Sequence, residues 1–232
     1  PAQVDTGRVT RKKMVEEVNR IVRENRTIPN QTVYDFAGLG HPEGDPHKAF
    51  HAGASSELAP GNVGWTELTN EEYQKIWYSD DDRYSKSHSV NLEYAFMLFR
   101  FKVESREKTV KKIVLAFEGY GTGPGGNGVT VKVWDHVNEV WEEAQTGIGG
   151  ADETITITLT SNLTDYIDDN GYVWLLAKTT NPSDGTTAAV LYCDYVSCTV
   201  KANGITYLDV VSFRDVDRVD VKPFIFRTEF VL

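Results

Sequence analysis

Cysteine is scarce in this chain: only Cys193 and Cys198 occur in 232 residues, both inside the run YCDYVSCTV. In a strand their odd separation directs them to opposite faces, so no bridge between them is expected and a disulfide-stapled scaffold is excluded. Long apolar runs are missing too, and nothing approaches the roughly 18 residues that a membrane-spanning helix needs. Basic residues are outnumbered, 24 against 34 acidic, for a net charge of −10. That balance argues against a nucleic-acid partner, because neutralising phosphates takes clustered Lys and Arg. The one basic run, Arg11-Lys12-Lys13, is followed closely by Glu16 and Glu17 and reads as a solvated helix face. The N-terminal PAQVDTGRVTRKK has no apolar signal-peptide core, and a Pro1 start is what removal of an initiator Met leaves. Assembly in the cytoplasm is therefore expected, and the sequons at Asn25, Asn30 and Asn162 matter only on export.

What is present is a globular composition, 40% hydrophobic and 25% charged, with enough chain for a sizeable core. Residues 8–26 place Val9, Met14, Val15, Val18, Ile21 and Val22 on one stripe, which predicts an amphipathic helix of about five turns. Residues 27–64 are rich in Pro, Gly, His, Asn and Ser without a sustained period, and read as a long connection of the kind that forms arms, lids or linkers. From residue 92 the pattern is that of strands. LEYAFMLFRFKV is apolar on both alternating faces and predicts a central strand, whereas ETITITLT turns isoleucine and leucine one way and threonine the other. Short strands punctuated by Gly, Asn and Asp turns predict an antiparallel sandwich or barrel. Beyond residue 203, GITYLDVVSF and KPFIFRTEFVL predict two more strands that must pair within their own sheet or with another subunit.

The run GYGTGPGGNG contains Gly121, Gly123 and Gly126 at the G-x-G-x-x-G spacing of a dinucleotide cradle. That motif needs a helix after it, whose N-terminus meets the phosphates. Here Val129-Thr-Val131-Lys-Val133-Trp follows, with a period of two. Nucleotide binding is set aside, and the loop is expected to be a hairpin between two sandwich strands.

Across residues 76–200 the chain resembles a module that recurs in archaeal and bacterial surface proteins and in tailed-virus structural proteins. The marks are YSDDDRYS at 78–85, Glu118-Gly119-Tyr120, Trp134 and Trp141 spanning a hairpin, Asn162-Leu-Thr-Asp-Tyr166-Ile167, Gly171-Tyr-Val-Trp-Leu175, and Tyr192-Cys-Asp194-Tyr195-Val. The resemblance is to galactose-binding-like jelly rolls and implies two packed antiparallel sheets, a non-catalytic role and, commonly, a structural calcium ion.

For calcium, which takes six to eight oxygen ligands, the candidates are Asp80, Asp81, Asp82 and Asp194. No D-x-D-x-D-G loop supports them, and Asp runs, like Asp168-Asp169-Asn170, also simply form turns. His47 and His51 have the i,i+4 spacing of a helical zinc pair, with His41 upstream, but Pro42 and Pro46 break the segment, which is read as polar arm. A sugar needs a flat aromatic platform; Trp134, Trp141 and Trp174 lie in strand patterns and are read as core, leaving Trp77 and Tyr78 as the carbohydrate candidates. No carboxylate pair, G-x-S-x-G elbow or Ser/His/Asp set singles itself out as catalytic.

The expected fold is mainly β: an antiparallel jelly-roll sandwich at 65–202, preceded by a helix and extended arm at 1–64 and followed by a strand extension at 203–232. The expected function is a non-enzymatic structural subunit of a virion or cell-surface assembly, with no cofactor beyond structural calcium. Its expected partners are copies of itself or other subunits, without nucleic acid or membrane insertion. A carbohydrate-binding or adhesion module is the alternative reading, and a glycoside-acting enzyme the second.

Overall fold

The computed structural model describes residues 31–41, 44–105 and 109–202, together with the strand backbones at 205–212 and 224–231. The chain divides into two units, one of residues 31–202 and one of residues 1–30 with 203–232. The strands of the first unit are, in chain order, β1 (Gln31–Tyr34), β2 (Lys48–Ala54), β3 (Thr66–Glu67), β4 (Tyr84–His88), β5 (Tyr94–Lys102) and β6 (Val110–Thr122). They continue with β7 (Val129–Asp135), β8 (Val140–Gly147), β9 (Glu153–Leu159), β10 (Tyr172–Thr179) and β11 (Ala189–Ala202). A short helix, α1 (Asn70–Gln74), lies between β3 and β4 and is closed by a capping box between Thr69 and Glu72.

All pairings are antiparallel. One sheet runs β3-β2-β5-β10-β7-β8. In the other, β11 has β6 and then β9 on one side, and on its opposite side β4 and β1 share its length end to end. The inner rows of the two sheets make one core, in which the Phe99 ring of β5 lies 6.1 Å from that of Phe117 on β6. β9 follows its expected alternation, Ile155, Ile157 and Leu159 buried and the threonines exposed. β5 is central, as its two apolar faces predict.

Four expectations change. Residues 31–64 supply β1 and β2 to the two sheets, so the expected arm does not extend to residue 64. Phe36, just after β1, is wholly buried among the rings of Tyr73, Phe99 and Phe101 at 5.9, 6.0 and 5.4 Å. The glycine run joins β6 in one sheet to β7 in the other, so it is an inter-sheet crossover rather than a hairpin. Its glycines are needed for close approach, since a Cβ on Gly121 would meet the Gly128 carbonyl at 2.3 Å, and Gly126 sits at φ +113°. His51 lies on β2 and His47 just before it, so the helical i,i+4 geometry is absent; the His47 Nδ1 accepts the Lys102 amide at 2.9 Å, and burial lowers its pKa.

The cysteines both belong to the core, not to opposite faces. A bulge is the reason: pairing with β6 jumps from Cys193↔Gly119 to Tyr195↔Glu118, leaving Asp194 as the extra residue. One inserted residue shifts the parity, so five positions bring the chain back to the same side.

The predicted helix at 8–26 lies outside the described residues. In the second unit, β12 (Ile205–Ser212) and β13 (Phe224–Val231) pair antiparallel over their whole length as a two-stranded sheet. The terminal strand's expected partner is thus the strand before it.

The burial of Phe36 gives a direct measure of how far residues 31–64 belong to the sandwich. Phe36→Ala should lower unfolding free energy in urea by about 3–5 kcal/mol, as for a large core ring. An arm residue would change it by less than about 0.5 kcal/mol.

Candidate functional site

Two places on the 31–202 unit gather chemistry. The first lies where the β11 bulge meets the loop before β4 and the loop before β9. Carboxylate oxygens of Asp81, Asp152 and Asp194 lie within 4.8 Å of one another. Two ligands on opposite sides of a calcium ion, each about 2.4 Å away, are separated by about that distance. The bulge that removes Asp194 from the ladder also aims its side chain here, where it is only 2% exposed. Asp81 adopts φ +70°, a left-handed conformation that an Asp tolerates.

Arg83 already neutralises part of this charge. Its Nε donates to Asp152 Oδ2 at 2.6 Å and its Nη2 to Asp81 Oδ1 at 2.6 Å. Two buried oxygens stay without a hydrogen-bond partner, Asp152 Oδ1 and Asp194 Oδ1. Three carboxylates against one guanidinium leave excess negative charge with two unused oxygens, a donor set that fits a hard cation. Burial pushes the Asp194 carboxyl above the usual carboxylate range; the facing backbone amides of Asp81 and Asp80 oppose this, and the charges of Asp152 and Asp80 add to it.

Of the four aspartates expected to bind calcium, the structure brings Asp81 and Asp194 together. Asp80 caps its own turn through the Asp82 amide at 3.1 Å, and Asp82 pairs with Lys75. Asp152 was not legible: it sits in a glycine-rich loop with no spacing relation to the others. Asp168 accepts from the Asn170 and Tyr172 amides at 2.9 and 2.8 Å, the turn-forming role.

The second place is the outer face of the six-stranded sheet. Register sets Lys48 of β2 beside Arg100 of β5, and Arg100 beside Trp174 of β10. One step past the Leu175↔Val133 pair, Trp174 lies level with Trp134 of β7, which is paired with Trp141 of β8. The result is one row across five strands, two cations and then three half-buried tryptophans, roughly 19 Å long at about 4.8 Å per strand. Phe50 and Tyr172 flank it, each 6.4 Å from the Trp174 ring, and the Trp134 and Trp141 rings meet edge to face at 5.0 Å.

Residues 55–65 cover the neighbouring part of this face. Leu58 and Trp65 pack on Phe96 and Leu176, while the Trp141 indole donates to the Leu58 carbonyl at 3.0 Å. Glu57 bridges Lys132 and Lys178 at 2.8 and 3.0 Å, which holds its carboxyl below its ordinary value although burial acts the other way. At the cationic end the row opens into a groove walled by His41, Asp45, Lys48, Glu67, Lys102 and Tyr172.

These tryptophans lie on the outer face rather than in the core between the sheets, Trp141 packing on the small Ala52, Phe96 and Leu176 cluster, because Val129, Val131 and Val133 take the inward positions of β7 and leave Thr130, Lys132 and Trp134 outward. That alternation was the available signal. The expected sugar contacts lie elsewhere: Trp77 is half-buried against the core with its indole donating to Leu39 O at 2.8 Å, and Tyr78 is 57% exposed.

Residues 45–202 match the AF_1625_C family, described as the C-terminal domain of an uncharacterized protein, and the chain belongs to that family. No curated protein matches the sequence. Among solved structures the chain is similar to a xylan-binding module, CBM15, at 9% identity and a TM-score of 0.38, covering 74% of this chain and 97% of that one. It is also similar to a Stig cyclase from Fischerella sp. TAU, at 10% identity and a TM-score of 0.28, covering 77% and 88%.

The raised Asp194 carboxyl makes a signed prediction. The folded chain holds this proton more tightly than the unfolded chain, so the group's stabilising contribution is present below about pH 4 and is lost as pH rises through its elevated value. In EDTA, the melting temperature of Asp194→Asn minus that of the wild type should rise with pH. A difference flat across that range would show that the burial of Asp194 does not govern its titration.

Proposed function

We propose that the 31–202 unit is a non-enzymatic carbohydrate-recognition module of jelly-roll type. The observation that carries this reading is the row of Trp174, Trp134 and Trp141 beside Arg100 on one sheet face. Sugar rings present flat C–H faces that stack on indoles, while their hydroxyls seek polar groups at the edges. Tryptophans left on an outer sheet face, half-exposed and aligned with polar side chains, meet both requirements. Loop residues 55–65 stiffen the platform, so little order is left to impose on binding.

The test is binding of soluble oligosaccharides, measured by calorimetry, to the wild type and Trp174→Ala. Loss of the ring beside Arg100 should weaken binding about tenfold, near 1.4 kcal/mol, without altering the fold, since the ring stands outside the core. Tyr78→Ala should leave affinity unchanged. If no oligosaccharide binds the wild type, or if Trp174→Ala binds as well as the wild type, the platform reading fails.

The Asp81, Asp152 and Asp194 cluster serves this module as a structural site for a divalent cation, best calcium, which ties the loops before β4 and β9 to the β11 bulge. Calcium should raise the melting temperature of the wild type and EDTA should reverse this. Asp194→Asn should be insensitive to both, and an equal calcium response in the variant would remove the site.

The second reading is a structural subunit of a virion or cell-surface assembly. It is favoured by the β12–β13 ribbon, because a two-stranded sheet is marginal alone and gains stability by pairing further. Light scattering on the full chain tests it: a monomer at all concentrations would end this reading.

A further inference from the structure

Arg100 is the best-placed cation of the platform and the least used. Its guanidinium carbon lies 4.4 Å from the ring centre of Tyr172 and 5.6 Å from that of Trp174. Among the described residues it makes no hydrogen bond or ion pair, and its Nε is buried without a partner. A guanidinium stacked on rings spends its faces and keeps its in-plane N–H edge, the part that grips a carboxylate with two parallel hydrogen bonds. The terminal N–H groups of Arg100 make no hydrogen bond among the described residues and are the part left for a ligand to match.

The neighbours define what fits. Lys48 is held by Glu67 at 2.7 Å and by the His41 carbonyl at 3.2 Å, so those two charges answer each other. Lys102 bonds the Asn170 carbonyl and stands 4.9 Å over the Tyr172 ring. Asp45 accepts the Gly40 amide at 2.8 Å. Among the described residues that wall the groove, Lys48, Arg100 and Lys102 stand against Asp45 and Glu67, in a chain whose net charge is −10.

We infer that the ligand of this face is a uronic-acid-bearing polysaccharide, its carboxylate held by Arg100 in the groove and its next sugar rings lying along Trp174, Trp134 and Trp141. This rests on the platform reading and adds its substrate class. A carboxylate suits the site because its two oxygens match the guanidinium fork and its charge is opposite to that of Arg100. A neutral glycan would leave Arg100 unsatisfied.

The experiment is calorimetric titration of the full chain with galacturonate oligosaccharides, neutral xylo-oligosaccharides of equal length and a sulfated neutral oligosaccharide. The variants are Arg100→Gln, Arg100→Lys and Trp174→Ala, each first checked by thermal melting. A hydrogen-bonded charge pair of this kind gives the wild type about a tenfold or greater preference for the uronate. Arg100→Gln should abolish that preference and leave neutral binding within about twofold, and Arg100→Lys should keep part of it while losing the fork. Raising salt should weaken uronate binding in the wild type only.

Equal affinity for uronate and neutral sugar, unchanged in Arg100→Gln, overturns the inference and leaves the platform standing. Stronger binding of the sulfated sugar than of the uronate overturns the carboxylate assignment. Uronate binding that survives Trp174→Ala but not Arg100→Gln fails the platform and keeps the anion groove. Binding of none of the three sugars ends both. If Arg100→Gln does not fold, Arg100→Lys decides by whether the uronate preference drops.

Discussion

β5 is apolar on both of its faces, and the 31–202 unit is organised around satisfying them. The inner row, from Ala95 through Phe101, is answered by the opposite sheet and by Phe36. The outer row cannot be answered that way, because only one sheet is available to cover one side. At one end, Phe96 is roofed by Leu58 and Trp65 with Glu57 as the ionic tie. At the other end the strand changes chemistry to Arg100 and Lys102, whose stems and charges lie over Tyr172 and Trp174. The half-open aromatic row exists because a strand that must be buried twice meets only one and a half covers.

The carboxylate cluster depends on a different local constraint. A regular β11 would alternate Asp194 to one side or the other of the sheet, in register with its neighbours. The extra residue frees it from the ladder, and β4 ends its pairing at Cys193 while β1 begins at Cys198, so the spine is unpartnered by either between those points. Gly119 stands opposite the bulge, where a Cβ would meet the Tyr192 carbonyl at 2.1 Å. A buried acid, a crowded backbone and a distant loop are brought together by one inserted residue.

Strong period-two patterns were legible. β5, β7 and β9 follow from alternation because one-face or two-face burial leaves a direct trace in residue type. β1 and β2 were not, since they are short, flanked by Gly and Pro, and gain their stability from long strands far along the chain. The bulge was invisible for the same reason that it matters: it breaks the parity by which faces are read, and so placed Cys193 and Cys198 wrongly. Asp81 and Asp194 could be suspected from their loops, but Asp152 joins them only through tertiary contact with Arg83. The tryptophans were misread because large aromatic residues in strands are usually buried, whereas here the valines of β7 already occupy the inward places.

The Glu57 bridge has one further consequence. It fastens loop residues 55–65 to both β7 and β10, beside the tryptophan row, so that loop forms a raised kerb along one flank of it. On the proposed reading, a chain molecule lying on the row would run across the strands with its lateral substituents directed to the opposite flank. Bulky branches on the kerb side would, on that same reading, meet that loop, so the Glu57 carboxylate would also select how a bound polymer is decorated.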